Sequence, residues 1–211
     1  MFENGYALLI GVGESAFKPW SLPVAVQDAN ALRAVLTDPQ RCAYPDDENH
    51  VRLLHDQLAT RQGILDGLAW LRSCATNDRA ATVIVFFSGH GCVDQASGRY
   101  FLLPHDVTPF DIAGTALAAD DFNRGLHALP ASRLLVIIDS CHAAGMASAK
   151  DARSDSAQFK LPTGFQPVGL PESAVSALAH GSGRAIFASA RGDQRAYIHP
   201  DGTLSIYTRH L

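Results

Sequence analysis

The strongest constraint on how this chain can fold is a pair of short apolar runs that each end on a reactive residue. Residues 82–91 read T-V-I-V-F-F-S-G-H-G, and residues 134–145 read L-L-V-I-I-D-S-C-H-A-A-G. Each run is rich in β-branched and aromatic residues, too short for a helix and bounded by turn formers, so each predicts a buried strand. About fifty residues separate His90 from Cys141, ample for the crossover that sets two parallel strands side by side. His90 and Cys141 then fall at the carboxyl ends of neighbouring strands, the edge where open α/β sheets hold their ligands.

The rest of the chain supplies the partners of such a sheet. Residues 6–11 (Y-A-L-L-I-G) predict a first strand. The following Gly11-Val12-Gly13 lacks the third glycine of a dinucleotide fingerprint. Residues 25–36 place Ala25, Ala29, Leu32, Val35 and Leu36 on one helical face. A short strand at 51–54 precedes Thr60, an expected N-cap for a helix carrying Ile64, Leu65, Leu68, Ala69 and Leu71. Residues 98–103 read as an extended piece, Asp120 as the cap of a helix with Phe122, Leu126 and Leu129, and 184–188 (R-A-I-F-A) as a last strand. This alternation predicts a mostly parallel sheet with helices on both faces.

Between residues 147 and 183 the pattern is lost, with Ala, Ser, Asp, Gly and Pro dominating and one weak helical patch at 172–179. A stretch like this inside a compact domain is expected to be a mobile processing or activation segment, because it buries too little apolar surface to repay its ordering entropy. Residues 203–211 read as the start of a helix, and the natural chain is expected to continue past Leu211.

At 211 residues the chain has room for one domain with a good core. A net charge of −4 without any basic run argues against nucleic-acid binding. No apolar run approaches the length of a membrane span, and residues 1–5 carry no signal core. Cys42, Cys74, Cys92 and Cys141 have irregular spacing, which predicts free thiols in a reducing cytoplasm rather than a disulfide framework.

A thiol nucleophile needs a base to take its proton and N–H donors for the oxyanion that forms on attack. Cys141 in a strand-end turn and His90 between Gly89 and Gly91 meet the first need; the amides of Gly91 and Cys141 are candidates for the second. Either residue alone would more often be a core thiol or a loop histidine. Both, at matching strand ends, point to a Cys–His dyad. A zinc site built from His90, Cys92, Cys141 and His142 is disfavoured, since adjacent Cys141-His142 do not converge easily on one tetrahedral ion and no C-x-x-C is present. No metal or other cofactor is expected, and a calcium requirement is not readable from these residues.

The motifs S-G-H-G (88–91) and D-S-C-H-A-A-G (139–145) resemble those of the caspase-like cysteine peptidases, most closely the metacaspase-type and bacterial caspase-like members of peptidase family C14. Y-A-L-L-I-G-V, Q-D-A-N-A-L (27–32), Y-F-L-L-P-H-D (100–106), F-A-S-A-R-G-D-Q-R-A-Y (187–197) and G-T-L-S-I-Y-T-R-H-L (202–211) extend the resemblance over almost the whole chain. It implies an α/β caspase-like fold and one peptidase domain over 1–211. The large-subunit part would span 1–146, a processing linker 147–183, and the start of a small-subunit part 184–211. It also implies an endopeptidase in which Cys141 is the nucleophile and His90 the general base, acting on protein substrates under a regulatory domain or activating partner. A cytoplasmic stress, defence or cell-death response is the expected setting.

Animal caspases carry Gln-Ala-Cys at the nucleophile, where this chain has Asp139-Ser140-Cys141. In metacaspases the residues matching Asp28, Ser88 and Asp139 form an acidic pocket, so cleavage after Arg or Lys is implied. Lys150, Arg153 and Lys160 within 147–183 are then candidate self-processing sites. The competing expectation is a catalytically silent scaffold or sensor with the same fold, which would have no chemical need for both His90 and Cys141.

Overall fold

The computed structural model describes residues 2–140, 159–192, 194 and 196–211. Its centre is a five-stranded, wholly parallel sheet built from β1 (Gly5–Gly11), β2 (Val51–His55), β3 (Thr82–Gly89), β7 (Arg133–Ser140) and β9 (Arg184–Ala188). The spatial order is β2-β1-β3-β7-β9, so the two runs that end on His90 and precede Cys141 lie side by side in the middle. A second, antiparallel sheet of four short strands, ordered β6-β5-β4-β8, comprises β4 (Gly91–Asp94), β5 (Tyr100–Leu102), β6 (Leu117–Ala118) and β8 (Phe165–Gln166).

Side-chain alternation along the strands assigns the two faces. Leu8, Ile10, Val83, Val85, Phe87, Val136 and Ile138 pack on one side with helix α2 (Arg61–Asn77), helix α4 (Ala119–His127) and helix α5 (Glu172–Ala179). Ala7, Leu9, Phe86 and Ile137 pack on the other with Ala29, Leu32 and Leu36 of α1 (Val24–Thr37). The short C-terminal helix α6 (Ile206–Arg209) lies beside α1 on that face, and a one-turn helix, α3 (Ile112–Thr115), precedes β6. The predicted doubly covered parallel sheet is therefore the observed one.

Thr60 caps α2 as expected, its Oγ1 accepting the Gly63 N–H at 3.0 Å. Asp120 does not cap α4. The helix begins one residue earlier, at Ala119, without a side-chain cap, and Asp120 sits in the first turn, where its charge faces the positive end of the helix dipole.

The stretch expected to lack structure is folded from residue 159 onward. Phe159, Leu161 and Phe165 pack on a cluster that includes Trp20, Phe101 and Leu103; β8 pairs with β4; and α5 buries Val175 and Leu178. Composition misled here because a few well-spaced apolar residues suffice when a neighbouring cluster receives them.

Candidate active site

Register places the site. In the β3–β7 pair Ser88 lies opposite Asp139 and Gly89 opposite Ser140. The next residue along the chain is His90 on one strand and Cys141 on the other; Cys141 itself, with His142, Lys150 and Arg153, lies outside the described residues. β1 runs in step on the far side, Gly11 opposite Ser88, and the Val12 N–H bonds the Ser88 carbonyl at 2.9 Å. Three parallel strands thus end together on one edge.

His90 links the two sheets. It follows β3, its carbonyl accepts the Leu103 N–H at 3.0 Å, and Gly91 begins β4 directly after it. The side chain is only 4% exposed. Phe159 accounts for part of that burial, its ring stacked on the imidazole at 3.9 Å between centroids and 4° between planes. Trp20 holds Phe159 in turn through an edge contact at 5.7 Å and an indole N–H bond to the Lys160 carbonyl at 3.1 Å. Lys160 is itself exposed.

Gly91 has a steric requirement that no motif announced. A Cβ there would lie 2.0 Å from the Tyr100 hydroxyl, which is engaged at 2.8 Å with the hydroxyl of buried Ser140. The turn carrying His90 and the strand end preceding Cys141 are therefore braced against each other through Tyr100.

Asp28, Ser88 and Asp139 are brought together, each fully buried. Ser88 Oγ donates to Asp28 Oδ2 at 3.0 Å. Asp139 joins them through the far end of the chain. The Ser205 N–H donates to Asp28 Oδ1 at 2.9 Å, while the Ser205 hydroxyl donates to Asp139 Oδ2, which also accepts the Thr208 hydroxyl at 3.3 Å. Two carboxylates out of water need such donors, because an unsolvated charge costs several kcal/mol (on the order of the burial penalty per ion). Burial first, and then the negative charge of Asp139, push the Tyr207 phenol up to about 12.

Ser205 and Thr208 lie in the G-T-L-S-I-Y-T-R-H-L stretch (202–211), but the sequence assigns neither of them a site role. The single local signal is that Ser205 is a good N-cap for the expected terminal helix, which it is: its Oγ accepts the Thr208 N–H at 2.9 Å.

The remaining cysteines in view have no place at this edge. Cys92 is a packed core thiol on β4, its pKa driven up to about 12 by burial and then by Asp94; Cys42 is exposed and Cys74 half-buried. Among the described residues no group of three or more His, Cys, Asp or Glu is placed to hold a metal ion, and no helix is long and apolar enough to cross a membrane.

A parallel α/β sheet covered on both faces, with a histidine turn and a buried acidic set at its carboxyl edge, has the architecture of the caspase-like peptidases. The caspase domain family model, peptidase C14, matches residues 4–211, and the chain belongs to that family of cysteine peptidases. No curated protein matches it.

Proposed function

We propose that this protein is a cysteine endopeptidase of metacaspase type that cleaves protein substrates after Arg or Lys with a Cys141–His90 dyad. The observation that carries the reading is the β3–β7 register, which aligns Ser88 with Asp139 and Gly89 with Ser140, the residues that directly precede His90 and Cys141 in the sequence. The Cys141 thiol passes its proton to His90, and the thiolate attacks the substrate carbonyl carbon. The amides of Gly91 and Cys141 hold the resulting oxyanion. The C–N bond then breaks as His90 returns the proton to the leaving amine. Water activated by His90 hydrolyses the thioester and restores the thiol. No cofactor enters these steps.

Specificity falls to Asp28, Ser88 and Asp139. Two carboxylates and a hydroxyl match the planar, multidonor guanidinium of arginine and the ammonium of lysine, and they repel an acidic side chain. The setting is a cytoplasmic response to stress, damage or attack, with a regulatory domain or activating partner controlling the enzyme. Lys150, Arg153 and Lys160 are the positions at which it would cut its own chain.

Cys141→Ala and His90→Ala test the dyad. Each should lower kcat/KM by at least about a thousandfold, and the double variant should be no worse than either one, since members of a catalytic unit fail together. Iodoacetamide should label Cys141 selectively in the active protein. Retention of more than about a tenth of wild-type kcat/KM in Cys141→Ala would refute the assignment, because nucleophile loss costs orders of magnitude.

A further inference from the structure

The geometry points to Ser205 as a positioning residue for substrate specificity, the group that fixes the spacing and orientation of the two specificity carboxylates. This deepens the reading of Asp28 and Asp139 as the acceptors of a basic side chain and rests on it. Among the described residues Ser205 bonds both: its backbone N–H holds Asp28 Oδ1 at 2.9 Å and its hydroxyl holds Asp139 Oδ2. The two carboxylates come from α1 and from the end of β7, on different elements, and Ser205 from a third, 177 residues along the chain from Asp28.

The direction of the Ser205 hydroxyl is over-determined. Its oxygen accepts the Thr208 N–H at 2.9 Å as the N-cap of α6, so the hydroxyl hydrogen is directed away from the helix and onto Asp139. Thr208 Oγ1 adds a second donor to the same Asp139 oxygen. Ser205 is fully buried and Thr208 only 9% exposed, so water does not substitute for either hydroxyl. With Oδ1 of Asp28 and Oδ2 of Asp139 committed to Ser205, each carboxylate is fixed in rotation about its own axis. A guanidinium needs that fixed geometry to bond two acceptors at once. Helix α6 thereby acts as a clamp: one residue caps the helix and sets the specificity site.

The experiment is steady-state kinetics of the full chain on matched peptides with Arg or Lys at P1, together with thermal melting and the iodoacetamide alkylation rate of Cys141. Ser205→Ala removes the hydroxyl donor. It should raise KM for Arg-P1 peptides roughly ten- to a hundredfold, the loss typical of a hydrogen bond to a charged group, with a smaller fall in kcat and little change in the alkylation rate. Ser205→Thr keeps the hydroxyl and should restore KM to within a few-fold. Thr208→Val keeps the backbone N–H that caps α6 and loses only Oγ1, the weaker of the two donors to Asp139, so it should raise KM a few-fold with a smaller fall in melting temperature than Ser205→Ala. That variant reads the proposal even if Ser205→Ala folds poorly.

An unchanged KM in both Ser205→Ala and Thr208→Val, with wild type preferring basic P1 residues, overturns the role of Ser205 and leaves the Arg/Lys reading standing. An equal loss of kcat on every substrate, tracking the melting temperature, also overturns it, as a merely structural effect. If wild type shows no preference for basic P1 residues, the specificity reading fails first and the role of Ser205 falls with it.

Discussion

Gly91 and Tyr100 show how tightly single residues are set around His90. A methyl group at position 91 would meet the Tyr100 hydroxyl at 2.0 Å and its Cζ at 2.8 Å. The ring has nowhere to retreat, being 4% exposed and tied to Ser140. Gly91→Ala should therefore cost about 1–3 kcal/mol, the usual penalty for overpacking a close contact. Tyr100→Phe removes the atom that clashes hardest, so the double variant should lose less stability than the sum of the two singles in urea unfolding. Strict additivity would show that the two residues do not meet. In the sequence Gly91 reads as a flexible turn residue and oxyanion donor; its packing against Tyr100 is a contact between strands that no motif encodes.

At the scale of elements, the segment around Phe159 matters most. Its ring covers one face of His90, and Trp20 fixes it there from the loop after β1. Phe159→Ala should expose the imidazole and speed its carbethoxylation by diethylpyrocarbonate several-fold, read as the rate of loss of catalytic competence. An unchanged rate would mean that the stacked ring does not shield His90. The parallel strands and helices α1, α2 and α5 were legible in the sequence to within a residue or so, whereas one-turn α3 was not read and the terminal helix covers only Ile206–Arg209 of the expected 203–211. The apolar repeat of α1 and α2, the Thr60 cap and the weak patch that becomes α5 are all local signals. The small antiparallel sheet was mostly hidden, because strands of two to four residues carry no periodicity and residues 98–103 alone stood out as extended. Asp28, Ser88 and Asp139 could be named from motif resemblance, whereas Ser205 could not. Its partner Asp28 lies 177 residues away, and neither residue is unusual in its own neighbourhood.

The whole molecule should lose stability at both ends of the pH scale, for different reasons. Asp47, Asp78 and Asp94 are held below the ordinary carboxylate value of 3.8, first by side-chain hydrogen bonds from His50, Asn4 and Ser97 respectively. A depressed folded pKa gives stability that is present above the unfolded value and lost as pH falls through the folded one, so these groups act from 3.8 downward. Cys92, ordinarily at 9.0, and Tyr44 and Tyr207, ordinarily at 10.0, are each raised to about 12, by burial first. A raised folded pKa gives stability that is complete below the unfolded value and lost as pH climbs through the folded one, so these act between 9 and 12. Urea midpoints should hold level near neutrality and fall on both sides. Cys92→Val, close in volume, should make the alkaline fall shallower. An alkaline slope identical to wild type would show that the Cys92 thiol is not kept protonated by the fold.

The parallel register that ends three strands at one edge, and the C-terminal helix that ties Asp28 to Asp139, make cleavage after a basic residue the claim on which the functional reading depends. It is tested most directly by kcat/KM on four peptides identical except for Arg, Lys, Gln or Asp at P1, measured on wild type and on Asp139→Asn. The expected result is a wild-type preference for Arg and Lys over Gln by about a hundredfold or more, the scale of a charge-assisted bidentate contact. Asp should be cleaved slowest, and Asp139→Asn should weaken the basic peptides most. Faster turnover of the Asp peptide than of its Arg counterpart by the wild-type enzyme would contradict it.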